Sequence, residues 1–280
     1  MDELTPRNHD RNSAGLQYVY PVVSRRAGGV SVGINLNPNN ACNWRCLYCQ
    51  VPQLTRGTAP PLNLSQLERE LHDFLDDVLH GNFMAQRVPP EARRLNDIAL
   101  SGNGEPTSAA EFAAVVALIA NVRQQLAVPA EVKTVLITNG SLLHRPSVQQ
   151  GLAVLPNGEV WFKLDRATSD GIARINDSQQ DMRKVREHLC TAIRLTPTWL
   201  QTCWFALDGQ PPSAQDEQDY LDFVAGLLRD GHTPQGVLLY GLARPSLQAE
   251  APRLSPLPAA HLDAFAERLR ALGLVVKVSP

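Results

Sequence analysis

The chain has 280 residues, 44% of them hydrophobic, which is enough to bury a large core and ordinary for one α/β barrel. Lys plus Arg number 26 against 28 for Asp plus Glu, a formal net charge of −2, and that balance argues against general attraction to nucleic acid or to anionic membranes. No apolar run reaches bilayer-spanning length, and MDELTPRNHDRNSAG at the start lacks a signal-peptide core. A soluble, cytoplasmic protein with no membrane partner is expected. Five cysteines, three of them within residues 42–49, do not resemble a disulfide framework; in a reducing compartment such a cluster more often binds metal.

Residues 1–30 are polar, end in RRAGG and read as a loosely structured leader ahead of a single domain over 31–280. SVGINLN (31–37) has the alternation of a strand and runs into the cysteine loop. LSQLERELHDFLDDVL (64–79) places leucines and Phe74 at helical spacing, with Ser65 as N-cap and Glu68 three residues on. NDIALSG (96–102) is the next strand, 111–126 a helix, and VKTVLITNG (132–140) a β-branched strand closed by Asn-Gly. The alternation continues with strands at 159–165, 199–207, 236–243 and 274–279 and helices at 179–195, 217–231 and 260–273. Such alternation predicts right-handed βαβ units and parallel strands. Six units are countable, with a seventh strand at the end, so the predicted fold class is α/β, a partial (β/α)6 TIM-type barrel. In barrels of this kind the chemistry gathers at the C-terminal ends of the strands, where the cysteine loop, SGNGEP, ITNG and KLD all fall.

ACNWRCLYCQ (41–50) sets Cys42, Cys46 and Cys49 in a C-x3-C-x2-C run, with Asn40 and Asn43 as turn formers. Thiolates on one bent loop suit a soft metal or a cluster. A Cys3His zinc site needs a histidine; the nearest in sequence are His9, His72 and His80, and Cys190 or Cys203 are the other thiols available to complete it. The alternative is a [4Fe–4S] cluster with three cysteine ligands and one open iron, since fully ligated clusters take four cysteines.

With an aromatic residue before its last cysteine, the loop resembles the signature of the radical S-adenosylmethionine (SAM) superfamily; Cys42, Cys46, Cys49 and Tyr48 match it position by position. The resemblance implies that SAM chelates the fourth iron of one [4Fe–4S] cluster and that one-electron reduction cleaves it to methionine and a 5′-deoxyadenosyl radical. That radical takes hydrogen from a substrate, and Tyr48 lies near the adenine. It also implies an electron donor such as flavodoxin or ferredoxin. SGNGEPT (101–107) is similar to the superfamily's glycine-rich SAM-amine motif. There Gly102 and Gly104 allow close backbone approach, Asn103 lies between them, and Glu105 adds charge complementarity. Read from residues alone, the same run is a tight βα turn with Pro106 opening a helix. Asn139 of ITNG faces the cofactor in resembling families, against the plain reading of a turn. Lys163 and Asp165 alternate onto one face of a strand and suit the SAM carboxylate and ribose hydroxyls, or form an ordinary salt bridge.

Together with YGLARP (240–245), where Tyr240 and Arg244 are candidates to meet a substrate, these motifs resemble a branch labelled by similarity to 4-demethylwyosine synthase, over roughly residues 30–250. The wyosine enzyme carries a second cysteine set ahead of its SAM loop, whereas no cysteine here precedes Cys42. Nor does the charge offer a tRNA-sized positive field, and Arg93-Arg94 reads as solvated surface. Action on nucleic acid is therefore not expected; the substrate is an unidentified small molecule, peptide or protein, with a peptide- or protein-modifying activating enzyme as one specific reading and a non-enzymatic zinc protein as another. Cys190 and Cys203 read as small core residues, too few for a second cluster.

Overall fold

β-Branched runs pair into ladders and the amphipathic stretches between them pack as helices. The computed structural model describes Leu4, residues 14–24 and residues 28–280. Two compact units result: residues 1–43, 57–137 and 145–159 make the first, and residues 44–56, 138–144 and 160–280 the second.

The first unit is built on β1 (Val19–Ser24), β2 (Gly29–Asn35), β3 (Leu95–Ser101) and β4 (Lys133–Thr138). β1 runs antiparallel to β2 with Val19 opposite Ile34, and β2, β3 and β4 are parallel. β1 corrects the expectation of a loose leader over 1–30. YVYPVVS carries the β-branched and aromatic residues of a strand, and Pro21 is tolerated because, among the described residues, β1 lies at a sheet edge and pairs with β2 alone. The rest of that segment, including His9 and Arg25-Arg26, falls largely outside the described residues. Every residue of β2 is buried, as a strand paired on both sides requires. The helices are α1 (Leu64–His80), α2 (Phe83–Arg87), α3 (Phe112–Gln125) and α4 (Pro146–Ala153). The N-cap of α1 is Asn63, not Ser65: the Asn63 side chain accepts the Gln66 N–H at 3.1 Å, leaving Ser65 inside the first turn.

The second unit has β5 (Gly158–Lys163), β6 (Thr198–Cys203), β7 (Gly236–Tyr240) and β8 (Val276–Ser279), all parallel. Between them lie α5 (Ser169–Asn176), α6 (Met182–Leu195), α7 (Ala214–Arg229) and α8 (Ala259–Arg270). α7 starts earlier than its apolar period suggests because Ser213 and Asp216 form a capping box. Thr202 donates to Leu164 O at 3.0 Å and pairs with Tyr220 Oη of α7 at 2.7 Å, so its face of β6 meets the helices. Alternation turns Gln201 and Cys203 to the opposite face, where Lys163, Gln201, Leu238 and Lys277 share one register row. Trp204 stacks on Phe265 at 3.8 Å with Tyr220 edge-on to the same ring, an aromatic core in which truncation of one ring costs about 3–5 kcal/mol.

Candidate active site

The cysteine loop leaves β2 through a run of asparagines that satisfy its turns. Asn35 Oδ1 accepts the N–H groups of Asn37 at 3.1 Å and Asn103 at 3.0 Å, and Asn37 Nδ2 donates to Ala41 O at 2.9 Å. Asn40 is left-handed (φ 54°) and takes a bond from Asn103 Nδ2 at 2.6 Å. SGNG at the end of β3 is thereby tied to the approach to Cys42. The glycines are needed there: Gly102 has φ 125° and lies against Asn35, while a side chain at Gly104 would run into Ala41 O and Asn37. Glu105 is buried and its Oε1 accepts Thr107 N–H at 3.2 Å and Thr107 Oγ1 at 2.5 Å. Pro106 opens only a 3-10 turn over Pro106–Ser108, and α3 begins later.

The second unit gathers Cys46, Tyr48, Lys163 and Asp165. Asp165, just past β5, is buried, and its Oδ1 accepts the Cys203 N–H at 2.8 Å. Its Oδ2 accepts Tyr48 Oη at 2.5 Å and Asn176 Nδ2 at 2.7 Å. Three donors leave this carboxylate about one of its roughly four acceptor positions. Asn176 Nδ2 also donates to Cys46 Sγ at 3.2 Å. The Lys163 ammonium sits 4.9 Å over the Tyr48 ring. Burial opposes its charge, but Tyr240, Asp165, Cys46 and Cys203 outweigh that and hold its pKa above the usual lysine range. Burial, with Asp165 beside it, keeps the Tyr48 phenol protonated well above the usual tyrosine range. Burial also pushes the Cys46 thiol up to about 12, against the pull of Lys163 and the Asn176 N–H.

A strap after β7 holds this part of the loop. Ser246 Oγ donates to Leu47 O at 2.6 Å, Leu247 N to Cys49 O at 2.9 Å and Gln248 Nε2 to Val51 O at 3.0 Å. Arg45 grips Glu250 with two N–H groups at 2.9 and 2.7 Å and Asp177 with Nε at 2.8 Å. These bonds to Arg45 draw both carboxyls below the ordinary carboxylate range. Cys203 and Phe205 form an apolar cluster with Leu47 and Ile175, on which Tyr48 and Tyr240 pack. Cys203 is thus a core residue whose backbone N–H serves Asp165, and Tyr240 packs against the same apolar cluster. Arg244 O accepts Gln50 Nε2 at 3.5 Å.

Asn139 closes its own turn, Oδ1 accepting Ser141 N–H at 3.0 Å and Ser141 Oγ at 2.7 Å, and Gly140 is left-handed (φ 74°) with the Phe162 ring against it. His72 and His80 pair with Asp73 and Asp76 on exposed α1 surface; His9 is outside the described residues. Cys190, half-buried on α6, lines a shallow surface groove with Arg186, Arg194 and His232. Among the described residues no group of three or more His, Cys, Asp or Glu is arranged to hold a single metal ion, and no helix is long and apolar enough to cross a membrane. Asn176, Arg45 with Glu250, and the 246–248 strap were not singled out from sequence. The Asn-Asp pair at 176–177 marks a helix end, but nothing local announces that its amide reaches a cysteine 130 positions away.

No protein-family model matches the chain. A UPF0026 protein of Helicobacter pylori (strain J99) is 27% identical over 237 residues, covering 84% of this chain and 68% of its own length. Among solved structures, Streptococcus suis SuiB bound to precursor peptide SuiA has a TM-score of 0.60 at 12% identity, covering 90% of this chain. The chain spans about half of SuiB, 49% of its length. TYW1 with a lysine-pyruvate adduct bound has a TM-score of 0.57 at 15% identity over 86% of this chain and 73% of its own. A radical SAM methyltransferase from Sphaerobacter thermophilus has 0.58 at 14% identity over 89% of this chain and 66% of its own. The chain shares the mixed α/β fold, with mostly parallel strands, of these solved structures, one of them a radical SAM methyltransferase, and its own C-x3-C-x2-C run follows its first parallel strand.

Proposed function

We propose that the chain is a radical SAM enzyme, with one [4Fe–4S] cluster on Cys42, Cys46 and Cys49 and SAM bound beside it, and with residues 31–280 acting as one catalytic domain. The observation that carries this reading is the donor set on this fold: three half-buried cysteines in one C-x3-C-x2-C loop. The residues fit such a group. No disulfide ties up the three cysteines, the Cys46 sulfur accepts the Asn176 N–H, and the Cys49 N–H bonds Cys46 O at 3.0 Å to bend the loop.

When bound, the cluster supplies an electron that splits SAM into methionine and a 5′-deoxyadenosyl radical, which takes hydrogen from a substrate. The chain's own residues bind and orient. Gly102, Asn103, Gly104 and Glu105 offer backbone carbonyls and a carboxylate to an ammonium group. Lys163 offers a cation to a carboxylate, Asp165 its remaining acceptor position to a hydroxyl, and Tyr48 and Asn139 flank the nucleoside. The substrate would be a small molecule, a peptide or a protein, and the reducing electron would come from a partner such as a flavodoxin or ferredoxin. A polypeptide substrate has in its favour the likeness to SuiB, described with its precursor peptide.

Anaerobic reconstitution with iron and sulfide tests the reading. Brown protein with visible absorbance is expected, lost in each of Cys42→Ala, Cys46→Ala and Cys49→Ala, and the reduced holoprotein given SAM should release 5′-deoxyadenosine. A colourless protein that takes up zinc and no iron–sulfur cluster would overturn it.

A further inference from the structure

We propose that Asn176 is a positioning residue for the cluster-bearing loop: its side-chain amide orients the Cys46 sulfur, links it to Asp165 and Tyr48, and raises the reduction potential of the cluster bound there. The inference rests on the reading of Cys42, Cys46 and Cys49 as cluster ligands. Asn176 is 0% exposed, and its two amide hydrogens are both committed, to Cys46 Sγ at 3.2 Å and to Asp165 Oδ2 at 2.7 Å. Among the described residues its buried Oδ1 has no hydrogen-bond partner. A buried orphan acceptor is destabilising, so the two donated bonds, not the carbonyl end, dictate how the amide sits.

Backbone contacts fix the donor on both sides of the cysteine. Asn176 O accepts the Arg45 N–H at 3.2 Å and Ile175 O the Leu47 N–H at 2.9 Å, so the last turn of α5 is docked against the residues flanking Cys46. Asp177 then ends the helix in a left-handed conformation (φ 45°, ψ 53°) and pairs with Arg45 at 2.8 Å. An N–H directed at a ligand sulfur withdraws negative charge from it. This favours the reduced, more anionic state of the group, because hydrogen bonds to the sulfurs are one of the protein's controls over cluster potential. Asp165 fixes the same amide from the other side and hands its second constraint to Tyr48.

EPR-monitored redox titration of reconstituted holoprotein tests this with Asn176→Ala and the isosteric Asn176→Asp. Asn176→Ala should make reduction about tenfold less favourable, about 59 mV for a one-electron couple, and Asn176→Asp at least as much; Tyr48→Phe, which leaves the Cys46 bond in place, should move the midpoint far less. Asn176→Ser, which keeps a donor, should recover part of the shift. Variants with wild-type cluster content and an unmoved midpoint overturn the proposal, as does loss of the native apo fold in both Ala and Asp variants, which would make the role purely structural. A native apo fold that no longer retains the cluster supports it. Absence of a reducible cluster signal in the wild type would defeat the underlying assignment of the cysteines, whereas a normal wild-type signal with unmoved variants defeats this inference alone.

Discussion

The glycine loop 101–105 and the loop residues 44–50 are held by different forces. Around Gly102 and Gly104 the partners are neutral, asparagine amides and backbone from Asn35, Asn37, Asn40 and Ala41. Around Cys46 they are charged: Arg45 between Glu250 and Asp177, and Asp165 accepting from Tyr48, Asn176 and Cys203. Neutral short bonds with no side chain in the way leave backbone open to a ligand at close range. A buried carboxylate taken up by donors instead fixes the orientation of rings and amides around a sulfur, and its field reaches further because the medium is less polar.

Replacing the buried carboxylate gives the largest expected break. Asp165→Ala strands three buried donors at once, each costing about 1–3 kcal/mol. A stability loss on the order of 3–5 kcal/mol is expected in urea unfolding of the apoprotein, with Asp165→Asn recovering part of it through its remaining carbonyl. A loss below about 1 kcal/mol would mean that water replaces the carboxylate and that the contrast between the loops is shallow. Gly104→Ala comes next: the added methyl meets Ala41 O and Asn37, overpacking that costs about 1–3 kcal/mol. Because none of the three cysteines is touched, iron content should hold while SAM binding, followed by calorimetry, falls sharply. Parallel loss of both would erase the distinction between the loops.

The Arg45–Glu250 pair, 31% and 17% exposed, should show a coupling of about 0.2–1 kcal/mol in a double-mutant cycle of Arg45→Met and Glu250→Gln, despite its bidentate geometry. A larger value would make the strap a main source of loop rigidity. The smallest effect concerns acid. Burial alone would raise the Asp216 carboxyl, but bonds from Ser213 and the charges of Arg166 and Arg174 draw it below its ordinary value. A depressed folded pKa means the stabilisation is present above the unfolded carboxylate range and lost as pH falls through the folded value. Wild-type urea midpoints should therefore drop more than those of Asp216→Asn over that acid window; equal slopes would refute the assignment.

Much of the architecture was legible because it depends on periodicity. The strands ending at Asn35, Ser101, Thr138 and Lys163 fall within a few residues of their expected ends, since burial pattern and turn chemistry are local. β1 was hidden by Pro21, which a local reading counts against a strand and which an edge position permits. α5 was passed over because eight residues, SDGIARIN, give too short a period to stand out. Asp165 was expected on one strand face with Lys163, suiting ribose hydroxyls or a salt bridge; what no local signal announced is that it is buried and accepts from Tyr48, Asn176 and Cys203.

The sequence by itself determined the chemistry of the candidate site: three thiols at fixed spacing, glycines where backbone must approach closely, and a cation and an anion two residues apart. Those properties lie in side-chain type and in short-range geometry, which neighbouring residues set. Only the tertiary structure decided which donor meets which acceptor. The amide that reaches Cys46 comes from 130 residues away and the backbone N–H that meets Asp165 from 38. Such bonds depend on how a helix end and two strand ends converge, and no periodic signal in the chain encodes that convergence.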